Sequence, residues 1–327
     1  MNARPVALLL AIGTTMLLVL LNLFSHPAIL SDPVEQHIFM QLSLPVLLTA
    51  ILVGSALSMS SATLQVLLNN PLADPGIIGI SSGASLSAGM LIVGGIIPSS
   101  ALVWGLPVAC FIGALLSSLL IFRLAQRLQL THASVILAGI AISTVCAAAL
   151  AWLYLFGDAQ ATRNLTFWLM GSFEHTHYPI LGIAGSALVF GMILLVRERS
   201  HLNALYLGEH NAHLIGVEPR LLTRKLLIIC ALLVGVSVSI AGSIAFVGLL
   251  VPHILRRLLG RDNRLIIPLS GAVGAALMVL IVNINTALSG VILPVSLLTA
   301  SIGGPIFIYV LYRGQMFATQ FGGRHGV

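Results

Sequence analysis

The residues able to do chemistry in this chain are few and scattered. Glu174, His175 and His177 fall close together, and a carboxylate with two imidazoles is a recognisable start to a metal site. No clear further ligand accompanies them, and a wet loop is the competing reading. Gln65, Asn283 and Asn285 place amides inside long apolar runs, where an amide facing lipid is costly. Each therefore faces a substrate route or hydrogen-bonds a neighbouring helix. Asp158, Arg163 and Asn164 sit together in a polar connection. There is no HExxH helix, no convincing nucleophile–base pair, and no GxxxxGK loop followed by Ser or Thr. ATP hydrolysis by such a loop is excluded, so active transport would need a partner.

The elements that must hold these residues are membrane helices. Hydrophobic residues make up 58% of the chain and charged residues 7%, with a mean hydropathy of +1.07, which cannot supply a charged surface around one apolar core. Uninterrupted apolar runs read as helices rather than the alternating segments of a barrel. Passes fall near 6–24, 42–66, 84–98, 101–122, 132–155, 180–197, 226–247, a short 248–259, 266–289 and 294–312. With the amino terminus inside, Arg163 alone of the 15 Lys and Arg residues lies outside, as the positive-inside rule requires. That places both termini in the cytoplasm. The net charge of +6 and pI near 9.8 reflect these inter-helix loops, not a nucleic-acid surface. Arg4 before the first apolar run resembles a signal peptide, but the run reads as an uncleaved helix. Cys110, Cys146 and Cys230 lie in apolar runs and read as core hydrophobes.

Glycine and proline punctuate the helices in a repeated order. Asn70-Pro71-Leu72-Ala73-Asp74-Pro75-Gly76 follows one long run, and Gly79 and Gly83 open the next. Gly242 through Gly248 to Pro252-His253 interrupts a later run, and Gly271 and Gly274 follow. Units near 42–155 and 226–312, separated by one linking pass at 180–197, would form an inverted repeat with broken helices along a cavity. The stretch 202–219 carries apolar residues at helical spacing on either side of Gly208, enough for two short surface helices that dock a partner or touch lipid.

Six clusters together resemble the permease subunits of ABC importers for ferric siderophores, haem and vitamin B12. They are Asn70 to Gly76 with Gly79 and Ser82-Gly83-Ala84; Trp168 to Phe173; Leu207-Gly208-Glu209 with Gly216; Gly242 to Arg256; Gly260 to Arg264 with Pro268; and Leu293-Pro294-Val295 to Gly303-Gly304-Pro305. The resemblance implies an all-α permease of ten transmembrane helices in the bacterial inner membrane, without an enzyme site or cofactor of its own. It implies a dimer, either of identical copies or with a paralogue, with the passage at the subunit interface. It implies two ATP-binding subunits, which hold ATP and Mg2+, and a periplasmic binding protein. Leu205, Leu207, Gly208, Glu209, His213, Leu214 and Gly216 would then couple to the ATPase. Gln65, Asn283 and Asn285 would be candidates for the translocation route. A ferric siderophore ranks first as cargo, then haem, then cobalamin. A secondary transporter and a non-transporting scaffold are the alternatives. Acid-free spans and broken helices speak against them.

The chain departs from that family on its outer face. Arg-x-Pro-Arg at the start of the second helix is replaced by Ser43-Leu44-Pro45-Val46, and the usual Glu before the Leu-Pro pair by Ile292. Asp32, Glu35, Asp158 and Glu174 stand there instead beside Arg163, a pattern that favours basic groups on a docking binding protein.

Overall fold

The computed structural model describes residues 3–24, 32–76, 79–96, 98–128, 132–174, 176–206, 209–288 and 293–321. Among them, seven helical stretches are long and apolar enough to cross a membrane: 6–23, 33–67, 104–127, 134–156, 178–198, 219–241 and 263–287. Two shorter apolar helices lie at 80–92 and 295–309.

The centre of the molecule is built from α3 (Leu44–Leu67), α11 (Pro219–Ala241) and α13 (Asn263–Ala287). These are buried on most sides, whereas α1 (Ala3–Phe24) turns most of its surface to lipid. Helix α3 runs on without a break from α2 (Pro33–Ile38) through a π-helical turn at Phe39–Ser43. Its close packing follows from its small residues. A Cβ added at Gly54 would lie 2.4 Å from the Gly274 carbonyl oxygen, and one at Gly274 would lie 2.3 Å from that of Gly54. Only glycine at both positions lets the two backbones touch, the small-residue solution to packing helices where lipid gives no hydrophobic drive. Ser55 Oγ donates to the Gly271 carbonyl at 3.0 Å and strengthens the crossing.

A second crossing repeats this chemistry. Helix α4 (Ile80–Ile92) meets α5 (Ser99–Arg127) through Gly83 and Gly113, where each added Cβ would lie within 2.4 Å of the other's carbonyl oxygen. One extensive pairing has a counterpart: α3 lies along α13, and α11 along α5. Helix α6 (His132–Phe156) flanks α4 and α5, while α14 (Val295–Phe321) flanks α12 (Val247–Leu259) and α13.

Helices α4 and α12 each have 13 residues, about 20 Å of rise, well short of roughly 30 Å of hydrocarbon. Both start from a left-handed cap, Gly79 at φ 87° and Phe246 at φ 69°, with no side chain bonding the first turn. A sharp reversal of the chain precedes each, and at Phe246 it imposes a conformation that bulky residues rarely adopt.

Several element boundaries differ from the sequence reading. The pass expected at 84–98 ends at Ile92, because the chain turns through Gly94 and Gly95, the latter at φ 59°. The pass expected from 226 begins at Pro219, whose fixed φ suits a first helical turn, so Arg220, Arg224 and Lys225 lie inside α11. It closes at Ala241, because Gly242 takes φ 71°. The connection holding Arg163 and Asn164 is helical: α7 (Ala159–Leu169) starts where Asp158 accepts hydrogen bonds from the Gln160 and Ala161 amides.

Candidate functional site

Two regions of the molecule concentrate polar contacts, one at each end. At the basic end, α8 (Tyr178–Glu198) leads into α9 (His201–Leu205) and α10 (Glu209–Leu214). Glu198 binds His201 Nδ1 at 2.8 Å and the Lys225 ammonium, so one carboxylate holds the end of α8, the start of α9 and the first turns of α11. Leu202 anchors α9 from below with no exposed surface.

Beyond that anchor, α9 is bolted to the junction of α12 and α13. Asn203 Oδ1 accepts from both the backbone N–H and the side-chain amide of Asn263, each at 2.8 Å, and Asn203 Nδ2 donates to Asp262 Oδ1 at 2.9 Å. Asp262 also caps α13 by accepting from the Arg264 amide. Arg256 of α12 completes the junction. Its Nη1 donates to the Tyr206 hydroxyl at 3.0 Å and to Asn263 Oδ1 at 2.9 Å, and its Nη2 to the Ala62 carbonyl of α3 at 2.7 Å. One guanidinium thus ties the end of α9 to the central helix α3 and to both sides of the α12–α13 turn. Charge-assisted bonds of this kind are stronger and more directional than neutral ones.

The other end of α12 meets α3 again. A Cβ at Gly248 would lie 2.1 Å from Ser61 Oγ and 2.7 Å from Asp74 Oδ1, so glycine lets the first turn of α12 seat against this pair. Ser61 Oγ donates to Asp74 Oδ1 at 3.3 Å, and the Gly76 amide donates to Oδ2 at 3.0 Å. Burial pushes the Asp74 carboxyl above the usual carboxylate range, against the lowering effect of these two donors. A rigid movement of α12 would therefore be felt at both Ala62 and Ser61 of α3.

The expected coupling residues fall around this junction. Leu205 is half-buried in α9; Leu214 is 74% exposed and Ile215 59%, an apolar tip unlike the packed face below it. His213 pairs with Glu218 at 3.2 Å, and Gly216 takes φ 80° to turn the chain into α11. Glu209 begins α10; Leu207 and Gly208 lie outside the described residues. The motif reading named this loop but not Arg256, Asn203, Asp262 and Asn263 as its attachment. Their signal was a polar cluster at a helix junction, legible only once α9 lies against it.

At the opposite end, a cavity of about 610 Å³ opens between the start of α3, the 172–177 connection, the end of α13 and the start of α14. Its polar lining includes Asn22, Gln41, Glu174, His177, Asn285 and Thr286. Asn285 pins its rim by exchanging two hydrogen bonds with the Leu293 backbone, at 2.9 and 3.2 Å. Asn283 does other work: its amide donates to the Leu18 carbonyl at 2.9 Å and accepts from Asn22 at 2.8 Å, fastening α1 to α13. Gln65 is 95% buried near the basic end of α3, and neither of its amide atoms has a partner among the described residues.

The acidic residues on this face divide by task. Asp32 and Asp158 cap α2 and α7, so their carboxylates are already held by backbone amides. Glu35 is half-buried, Arg163 is exposed, and Glu174 is the acid that lines the cavity. Among the described residues no three His, Cys, Asp or Glu side chains gather to hold a metal ion, and His175 lies outside them.

Comparison with known proteins places this architecture. Residues 6–313 match the family model described as the FecCD transport family. The chain is 38% identical over 280 residues to the hemin transport system permease protein HmuU of Yersinia pestis, covering 85% of this chain and 84% of that one. It is 40% identical over 286 residues to the vitamin B12 import system permease protein BtuC of Vibrio cholerae, covering 86% and 84%. A solved structure, an inward-facing conformation of an ABC transporter assigned to the metal-chelate type, superposes with a TM-score of 0.84 at 31% identity. That match covers 93% of this chain and 99% of that one.

Proposed function

The chain belongs to the FecCD transport family, a multi-pass inner-membrane permease subunit without an ATPase domain, and on that premise we propose that it imports a metal-centred tetrapyrrole, haem or cobalamin. That ranking reverses the sequence-based preference for a ferric siderophore. It rests on the haemin and vitamin B12 permeases among the similar proteins, each aligned over more than four-fifths of its length.

The observation that carries the transport mechanism is the Arg256 junction. An ATP-binding subunit docks on α9 and α10 at the basic, cytoplasmic face, using the exposed Leu214 and Ile215 tip with His213 and Glu209. Closure of two such subunits displaces α9, and Asn203, Tyr206 and Arg256 hand the displacement to α12, α13 and α3. Because α12 is short and seats on Ser61 and Asp74, its movement alters the middle of the bundle without unfolding a full span. Access then alternates between the two faces, a rigid-body change about fixed crossings.

The remaining architecture follows the same logic. Helices α3 to α6 and α11 to α14 are two units of opposite orientation, and the left-handed starts of α4 and α12 and the corresponding α3–α13 and α11–α5 pairings support this. Counting α4, α12 and α14 as passes gives ten, with both termini cytoplasmic. A second permease subunit, identical or paralogous, completes the passage. Gln65 and Asn285 are its candidate polar contacts in this chain, whereas Asn283 holds helices together. A periplasmic binding protein docks over the 610 Å³ cavity, presenting basic or hydrogen-bonding groups to Glu174 and its amide neighbours, with Asp32, Glu35, Asp158 and Arg163 as further docking candidates outside its lining.

Uptake of labelled haem, cobalamin and a panel of ferric siderophores by cells lacking or regaining this chain tests the cargo. Haem or cobalamin uptake that vanishes and returns with the chain supports the reading. Dependence confined to one ferric siderophore would restore the earlier preference.

A further inference from the structure

An apolar groove between α5 and α11 carries a cluster of arginines at one end, and that combination specifies an occupant. It has a volume of about 250 Å³ and opens at the surface of this chain between α5 and α11, with Ile80 and Val135 also lining it. Leu115, Leu119 and Phe122 form one wall, Leu227 and Ile228 the other, and Ser118 is the single polar residue along it. From Leu115 to Phe122 the wall rises about 10 Å, most of the depth of one hydrocarbon leaflet of about 15 Å.

The basic end of the groove is cationic. On α11, Arg224 stands one helical turn before Ile228 and continues the same stripe, with Arg220 a further turn out. On α5, Arg123 stands one turn after Leu119, and Arg127 follows. The Arg224 guanidinium lies 5.8 Å from the centre of the Phe122 ring, which is itself part of the groove wall. All four arginines are exposed, and none pairs with a carboxylate among the described residues; the nearby Glu198 is engaged by His201 and Lys225. The positive-inside bias accounts for cations on this side of the membrane. It does not require one to stack on the aromatic wall of an acyl-sized groove.

We propose that this groove binds an anionic phospholipid of the cytoplasmic leaflet, one acyl chain lying between α5 and α11 and the phosphate meeting Arg224 and Arg123. A basic pocket between transmembrane helices on that side has the charge such a headgroup selects, and a zwitterionic lipid lacks the net charge to exploit it. The site is independent of the cargo and is set apart from the α9 junction.

Native mass spectrometry of the purified full-length chain, titrated with phosphatidylglycerol, phosphatidylcholine, diacylglycerol or inorganic phosphate, tests this. The expected result is a saturable phosphatidylglycerol adduct about tenfold tighter than phosphatidylcholine, with no matching adduct from diacylglycerol or phosphate. The double variant Arg123→Gln/Arg224→Gln should lose that preference, and Ala231→Phe, which fills the groove, should lose the adduct. Equal binding of the two phospholipids by the unaltered protein would overturn the proposal without any variant. So would a preference that survives Ala231→Phe in a monodisperse sample, since it would mark surface attraction alone.

Discussion

Replacing Arg256 by Met should uncouple ATP hydrolysis from transport. The methionine keeps an apolar stem but removes three hydrogen bonds, to the Tyr206 hydroxyl, Asn263 Oδ1 and the Ala62 carbonyl, at 3.0, 2.9 and 2.7 Å. Hydrogen bonds to a charged group contribute about 1.5–3 kcal/mol each. Tyr206 is 39% exposed, so water competes there and about 1 kcal/mol is the better figure for that bond. Asn263 adds about as much to the hold on α9, because it is shared with Asn203. The guanidinium Nε has no partner among the described residues, a desolvation cost that trims the total. Attachment of α9 should weaken by about 2 kcal/mol, about thirtyfold in the ratio of attached to detached loop. In proteoliposomes holding the permease, its ATPase and its binding protein, chelate moved per ATP hydrolysed should fall severalfold while hydrolysis itself persists. Tyr206→Phe should give a smaller loss, and the double variant should reveal a coupling of about 1 kcal/mol between the two side chains. An unchanged ratio of transport to hydrolysis in Arg256→Met, or strict additivity of the two substitutions, would refute the reasoning.

Four further outcomes follow from the packing. Gly54→Ala forces a methyl to within 2.4 Å of the Gly274 carbonyl oxygen and should lower stability by about 1–3 kcal/mol, read as the thermal midpoint in detergent. Gly182→Ala, where nothing lies within 4 Å, should raise that midpoint through helix propensity. Asn283→Leu should cost about 1–3 kcal/mol because the Asn22 amide loses its acceptor, whereas Asn22→Leu/Asn283→Leu should recover part of the loss; a double variant no more stable than Asn283→Leu would contradict this. Asp74→Asn keeps an acceptor oxygen for the Gly76 amide and turns an amide donor toward the Ser61 hydroxyl, which can rotate to accept it, while removing a desolvated charge, so its midpoint should rise, and Asp74→Ala should fall below the unaltered protein.

The long passes were legible because their apolar runs are continuous and their basic connections lie on one side. Short helices were harder. Nothing in the hydropathy of 84–98 stops a helix at Ile92; the stop comes from the Gly94–Gly95 turn. Basic residues hid the first turns of α11, since a hydropathy reading starts a span only after Lys225, whereas Pro219 starts the helix. The apolar spacing of 202–219 announced two short helices, and α9 and α10 form there, but Arg256 and Asn263 stood in two separate motif clusters with nothing to show that α9 packs against both. Asn283 and Asn285 are two residues apart and read alike in sequence. Helical geometry turns them about 200° from one another, one toward α1 and the other toward the outer cavity.

The most direct test of the transport account is uptake of labelled haem or cobalamin into proteoliposomes that contain this chain with its ATPase and binding protein. Accumulation should require ATP and all three proteins, and should be indifferent to an imposed proton or sodium gradient. Uptake driven by such a gradient in the absence of the ATPase would contradict the account, because it would place the energy source in a chain whose spans were read as carrying none.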